Sequence, residues 1–162
     1  MSVIIRRMTE DEFSYVYQWS VKQQTKELME ELNMSEEAAI KETVKEISEM
    51  LPDGLNTQDN YLMSIIETES GEMVGFIWTL HEITAGRKQS FICDFAVWES
   101  KRGKGYGKNA LCLAEQNAAE AGCLESVLFV NDNNHLAIDL YKKCGYEVLH
   151  QEKYGKYMIK QL

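Results

Sequence analysis

The stretch Lys101-Arg102-Gly103-Lys104-Gly105-Tyr106-Gly107-Lys108 constrains this chain more than any other. An apolar run, Phe91 to Trp98, precedes it, and a helix-like segment, Asn109 to Ala121, follows. The eight residues therefore read as a strand-to-helix junction. Glycines let a backbone turn tightly and approach a ligand closely. Open N–H groups at a helix start, together with the helix dipole, favour an anion there. Four basic side chains in the same eight residues add to that potential. The junction reads as a cradle for a small polyanion, a pyrophosphate above all.

The rest of the chain sets the frame around it. Val3 to Arg6 reads as a first strand. Thr9 and Glu12 have capping-box spacing, and Phe13, Val16 and Tyr17 recur at helical intervals, so a helix to about Glu31 is expected. Ser35 can cap a second helix with Ile40, Val44, Ile47 and Leu51 on one face. The single proline, in Leu51-Pro52-Asp53-Gly54, marks its end. Tyr61–Ile66 and Met73–Leu80 are β-rich runs joined by a hairpin through Glu67–Glu72, and a loop around Ala85–Lys88 leads into the strand Phe91–Trp98. After the junction, Leu111, Ala114, Ala118 and Ala121 form a helix stripe closed by Gly122. Ser126–Val130 is a buried-type strand. A helix capped by Asn133 or Asn134 carries Ala137, Leu140, Tyr141 and Cys144 and ends at Gly145. Two strands, Tyr146–Leu149 and Lys156–Ile159, complete the order β-α-α-β-β-β-α-β-α-β-β. That order predicts an α/β (mixed α+β) fold in one domain spanning residues 1–162.

Composition narrows the partners. The chain has 162 residues and a formal charge of −9, with 26 acidic against 17 basic side chains. The basic cluster is thus a local exception in an acidic protein. Duplex binding usually needs a broad basic face, so nucleic acid is not expected as a partner. No apolar stretch approaches the ~20 residues that span a bilayer, and the N-terminus lacks an apolar signal core. A cytoplasmic protein with no membrane partner is expected. Cysteines 93, 112, 123 and 144 show no CxxC spacing. They read as free thiols, with neither a disulfide framework nor a metal site.

Two common phosphate motifs fail at the junction. A P-loop needs GxxxxGK followed by Ser or Thr; here Asn109 follows Lys108, and Arg102 stands where the first glycine should be. A dinucleotide fingerprint needs GxGxxG, and Gly107 comes one residue early. What remains is Arg102-x-x-Gly105-x-Gly107 between a strand and a helix. A second block follows: Val130-x-x-x-Asn134-x-x-Ala137-x-x-Leu140-Tyr141-x-x-x-Gly145-Tyr146. Together they resemble the two signature motifs of the GNAT N-acetyltransferase superfamily, Q/R-x-x-G-x-G/A and V-x-x-x-N-x-x-A-x-x-L-Y-x-x-x-G-F/Y. The match, with its preceding strand, covers residues 91–146.

The resemblance implies a largely antiparallel central sheet with one splayed parallel strand pair, formed by 91–98 and 126–130, and helices on both faces. It implies acetyl-CoA as co-substrate. The pantetheine arm would lie along the main chain of Phe95, Ala96 and Val97, as an added strand. The pyrophosphate would sit on the N–H groups of Arg102, Gly103, Lys104, Gly105, Tyr106, Gly107 and Lys108. The side chains of Lys101, Arg102, Lys104 and Lys108 would supply charge for the 3′-phosphate. Asn134 would bond the pantetheine arm, or else serve as a plain helix cap. Tyr141 would act as general acid toward the leaving thiolate; a packing role on the helix stripe is the alternative. The family often has proline where this chain has Glu99, which is therefore given no binding role.

The general base is less defined. Asp94 is the lone carboxylate in an apolar strand, as base or as a structural group. Strand alternation turns it away from Phe95 and Val97 unless a bulge intervenes. His81 is a second candidate, read first as a surface histidine at a hairpin end. The activity implied is transfer of an acetyl group to a primary amine, on a small molecule or a peptide, by direct attack in a ternary complex. The alternative is a non-catalytic acyl-CoA-binding module of the same fold. Glutamates 27, 30, 31, 36, 37, 42, 46 and 49 crowd the first two helices. They read as a solvated face, or as a weak funnel for a cationic amine. A homodimer contact through the tryptophans and the hairpin is left open.

Overall fold

The structure is a computed structural model and describes residues 2–162. The chain divides into two compact units: Met8–Asn60, and the residues up to Arg7 together with Tyr61–Leu162. The elements follow the order read from the sequence: β1 (Val3–Arg7), α1 (Glu10–Leu32), α2 (Glu36–Met50), β2 (Asn60–Glu67), β3 (Met73–Thr84), β4 (Arg87–Val97), α3 (Tyr106–Glu120), β5 (Glu125–Asn131), α4 (His135–Lys143), β6 (Glu147–Gln151) and β7 (Gly155–Gln161).

Within the first unit α1 begins on the expected capping box. Thr9 Oγ1 accepts the Glu12 N–H at 3.2 Å, and Glu12 Oε1 accepts the Thr9 N–H at 2.9 Å. Asn33, left-handed at φ 53°, closes it. Ser35 caps α2 through the Ala38 N–H at 3.2 Å. The buried stripe of α2 differs from the expected one: Ala39, Thr43 and Ile47 are buried, whereas Ile40 is 40% exposed. Apolar periodicity gave weight to Ile40; the buried stripe is filled instead by the smaller Ala39 and Thr43.

The second unit is a seven-stranded sheet in the order β1-β2-β3-β4-β5-β7-β6. One pair, β4 with β5, is parallel; the others are antiparallel, the mixed sheet that was expected. The β3–β4 hairpin turns on Ala85 and Gly86, both at positive φ (52° and 76°), the twist that suits a tight hairpin. α3 and α4 pack their apolar stripes on the sheet. Leu111 from α3, Ile138 and Tyr141 from α4, and Ile77, Leu128 and Met158 from the strands share one core. Side chains such as Leu111, Leu128 and Met158, all at most 1% exposed, each contribute roughly 1.5–3 kcal/mol by leaving water.

Both helices end in the same way. Gly122 follows α3 at φ 90°, its N–H bonding Ala119 O at 3.0 Å while the Cys123 N–H bonds Ala118 O at 2.9 Å. Gly145 follows α4 at φ 95°, with matching bonds from Gly145 N–H to Lys142 O and from Tyr146 N–H to Tyr141 O. These are Schellman caps, and the positive φ is why glycine stands at each.

Two features of β4 set up a cleft. Parallel pairing with β5 runs only from Gln89↔Glu125 to Ile92↔Leu128. Beyond it β4 stays paired with β3 as far as Val97↔Gly75, and β5 stays paired with β7 as far as Asn131↔Gly155. The strands therefore splay, leaving residues 94–97 with a strand partner on one side. The β3–β4 register also shifts: Trp78 faces Asp94 and Thr79 faces Ile92, so Cys93 is an extra residue. This bulge precedes Asp94, and residues 94–97 pair without a further shift, so Asp94 still alternates with Phe95 and Val97 along the strand.

Candidate active site

The junction between β4 and α3 is built as the sequence implied, with one shift. α3 starts at Tyr106 rather than at Asn109. A glycine-rich stretch weakens the helical signal, yet the last of its glycines is already helical. A short 3₁₀ turn, Glu99–Lys101, leads out of the strand. Gly103 and Gly105 follow at φ 79° and 82°, where an L side chain would be strained by about 1–2 kcal/mol. A Cβ on either would meet nothing within 4 Å. Gly105 is the N-cap of α3 and, having no side chain, makes no side-chain cap bond; a helix start of this kind favours an anion. Together with the open edge of β4 at 94–97, this fits a pyrophosphate followed by an extended amide-bearing arm.

Individual members of the cradle divide. The Arg102 N–H is spent on Glu99 O at 3.4 Å, and Arg102 Nε bonds Val97 O at 3.1 Å, which ties the loop to the strand end. Lys101 Nζ is paired with Glu72 Oε2 at 2.8 Å, a bond that raises its pKa. That pair ties Lys101 to the β2–β3 hairpin. Lys104 and Lys108 are exposed. The Tyr106 ring is buried, with its hydroxyl on Glu67, so only its backbone faces the junction. Gly107 sits where a Cβ would touch Leu140, Val97 and Phe95 at 3.5–3.8 Å, which brings β4, α3 and α4 together at one point.

Tyr141 lies on α4, 7% exposed, with ring centroids 6.5 Å from Phe95 and 5.6 Å from Tyr146. The sequence thus brings the proposed acid and the β4 edge into contact. Burial, then the charge of Asp94, pushes the phenol well above the ordinary tyrosine range, so it keeps its proton at neutral pH. Asn134 is the N-cap of α4, its Oδ1 accepting the Ala137 N–H at 3.3 Å. The alternative of a cap at Asn133 is resolved. The exposed Asn134 amide still has its Nδ2 donors outside the cap bond.

Asp94 Oδ1 accepts the N–H of Phe95 at 2.9 Å, so the carboxylate helps to hold the bulge. Its charge also reaches Cys93, whose thiol is pushed up to about 12, by burial first and then by Asp94 and Glu82. Cys144 is raised too, mainly by burial, which suits a packed thiol rather than a nucleophile. His81 departs from the surface reading. It is 8% exposed, 4.4 Å from the Tyr61 ring, because β3 continues to Thr84 and carries it inside the sheet's span. It lines a cavity of about 380 Å³ with Ile5, Met63, Thr79 and Ala114, toward the C-terminal half of α3.

Gly75 was not singled out by the sequence. A Cβ there would lie 2.2 Å from Ala96 O and 2.9 Å from Val97 Cα. Its signal was available: an isolated glycine inside a strand pattern marks a close backbone approach.

Known proteins share this arrangement. A sequence model of the acetyltransferase (GNAT) family matches residues 13–146. YdgE of Bacillus subtilis (strain 168), named as an uncharacterized N-acetyltransferase, is 30% identical over 146 residues, 90% of this chain and 92% of that protein. The crystal structure of YycN, a Bacillus subtilis protein named as an acetyltransferase, superposes with a TM-score of 0.82 at 28% identity, covering 94% of this chain and 98% of that one. The fold is also that of the PaiA N-acetyltransferase of Thermoplasma acidophilum in complex with coenzyme A, at a TM-score of 0.69 and 21% identity over the whole of both chains. With the splayed β4–β5 pair and the glycine junction, these findings establish that the chain belongs to the GNAT acetyltransferase family.

Proposed function

We propose that the 162 residues work as one acetyltransferase domain that moves an acetyl group from acetyl-CoA to a primary amine by direct attack. The observation that carries this reading is the open β4 edge ending in a glycine cradle, with a buried, protonated tyrosine beside it. The N–H groups of Gly103 to Lys108 would hold the pyrophosphate, and Lys104 and Lys108 would add charge. The main chain of Phe95, Ala96 and Val97 would align the pantetheine arm, with Asn134 Nδ2 as a further donor. Coenzyme A supplies an activated acetyl thioester. Tyr141 would give its proton to the departing sulfur.

The acceptor must attack as a neutral amine. For a lysine-like group with a pKa near 10.4, losing the proton at pH 7 costs roughly 4.6 kcal/mol, so a proton acceptor is needed. Asp94 is the group we assign, directly or through water. What supports this is that Asp94 is close enough for its charge to add to the rise in the Tyr141 pKa, after burial. The chain's net charge of −9 suits a cationic acceptor more than an anionic one, whether a small molecule or a peptide.

The test is CoA release from acetyl-CoA with a panel of polyamines, amino acids, aminoglycosides and peptides. At least one amine is expected to be turned over. Asp94→Asn should cut that turnover about 100-fold while CoA still raises the unfolding temperature. CoA binding without turnover of any amine would support the binding-module alternative, and no stabilisation by CoA would remove both readings.

A further inference from the structure

Behind Tyr141 lies a buried polar cluster that the reaction outlined above does not use. The Tyr146 hydroxyl is 2.9 Å from Glu115 Oε2 on α3 and 2.7 Å from Ser126 Oγ on β5. Lys160 Nζ on β7 donates to Glu115 Oε1 at 2.9 Å. Tyr146, Ser126 and Glu115 are 2%, 2% and 8% exposed. A phenol has one proton. It goes to the carboxylate, and the serine hydroxyl completes the pair on the phenolic oxygen. Every strong partner is thus satisfied, and one point is tied to α3, β5 and β7 at once.

Burying a carboxylate is costly even when it is paired, so such a cluster is weak evidence for stability. What it does provide is position. Tyr146 is coupled to Tyr141 twice: its N–H bonds the Tyr141 carbonyl at 2.9 Å, and the two rings pack 5.6 Å apart at 59°. The Tyr141 ring has Phe95, on the open edge of β4, as its other aromatic neighbour.

We propose that Tyr146, anchored by Glu115, Ser126 and Lys160, is a positioning residue that sets the location of the Tyr141 hydroxyl relative to β4. This rests on the reading of Tyr141 as the general acid. Loss of the Tyr146 hydroxyl frees its ring from α3 and β5, and small displacements of a proton donor weaken catalysis steeply.

A double-mutant cycle separates this from a structural role. Tyr146→Phe should lower kcat about tenfold, with KM for acetyl-CoA within about twofold of wild type. Tyr141→Phe should lower kcat about 100-fold. The double variant should match Tyr141→Phe within about twofold, because a residue that acts through Tyr141 has nothing left to act on. Ser126→Ala, which removes one anchor and leaves the other, should fall between wild type and Tyr146→Phe. NMR of carbon-labelled tyrosine gives a readout apart from turnover: the Tyr141 signal should shift or broaden in Tyr146→Phe, and that of Tyr15 should not. Effects that multiply in the double variant, or an unchanged Tyr141 signal, would overturn the positioning role alone. Full turnover by Tyr141→Phe would overturn the acid reading and this inference with it.

Discussion

Gly75→Ala is expected to lower the unfolding temperature by roughly 6–12 °C and to abolish the thermal response to CoA. The reason is steric and local. The added methyl would stand 2.2 Å from Ala96 O and 2.9 Å from Val97 Cα, both backbone atoms, so no side-chain rotation relieves it. β4 must move away from β3 at the residues whose other edge forms the cleft. Overpacking of a well-filled site costs about 1–3 kcal/mol, and a backbone clash inside a sheet belongs at the upper end. Gly155 offers a comparison: its Cβ would meet Phe129 Cζ at 2.5 Å and Val130 O at 2.6 Å, on β5 and not on the donor strand. Gly155→Ala should therefore destabilise the fold with less effect on CoA affinity per degree lost. Differential scanning calorimetry with and without CoA reads both. A Gly75→Ala protein with wild-type stability and CoA response would contradict the close approach of β3 and β4.

The second large effect is on turnover. Tyr141→Phe keeps the ring that packs on Phe95 and Tyr146 and removes only the hydroxyl. Stability should change little, CoA should still bind, and kcat should fall about 100-fold. The pH dependence carries the same assignment. Burial raises the pKa of Tyr141 above its ordinary value of 10.0, so the protonated, competent form persists as pH rises through that value. Wild-type kcat should show no alkaline fall below pH 10 from loss of this proton. Steady-state kinetics from pH 6 to pH 10 is the measurement. An unchanged kcat in the variant, or an alkaline limb that the variant abolishes, would move the acid elsewhere.

What the chain disclosed, it disclosed through local rules. The capping box at Thr9, the cap at Ser35, the α4 cap read as Asn133 or Asn134 and found at Asn134, and the glycines after α3 and α4 act within five residues of sequence. The structure bears each of them out. The element order followed from the same signals, and the parallel β4–β5 pair is what the resemblance to the GNAT superfamily implied. What the sequence hid depends on partners far along the chain. The ion pair of Lys101 with Glu72, on another hairpin, is one such partner. His81 looked like a surface group because the length of β3 was underestimated. The extra residue at Cys93, just before Asp94, depends on the register of β3 against β4 and has no signature of its own. The start of α3 was misplaced because glycine lowers helix propensity, even where an open helix N-terminus is what the site requires.

The central claim is that the donor lies along the open edge of β4 and ends on the amides before and within the first turn of α3. Amide hydrogen exchange with and without saturating CoA tests it most directly. The account predicts slowed exchange in peptides covering residues 95–97 and 103–108, with ATP giving far less protection there. CoA binding that leaves both segments exchanging as in the free protein, or equal protection by ATP, would contradict it.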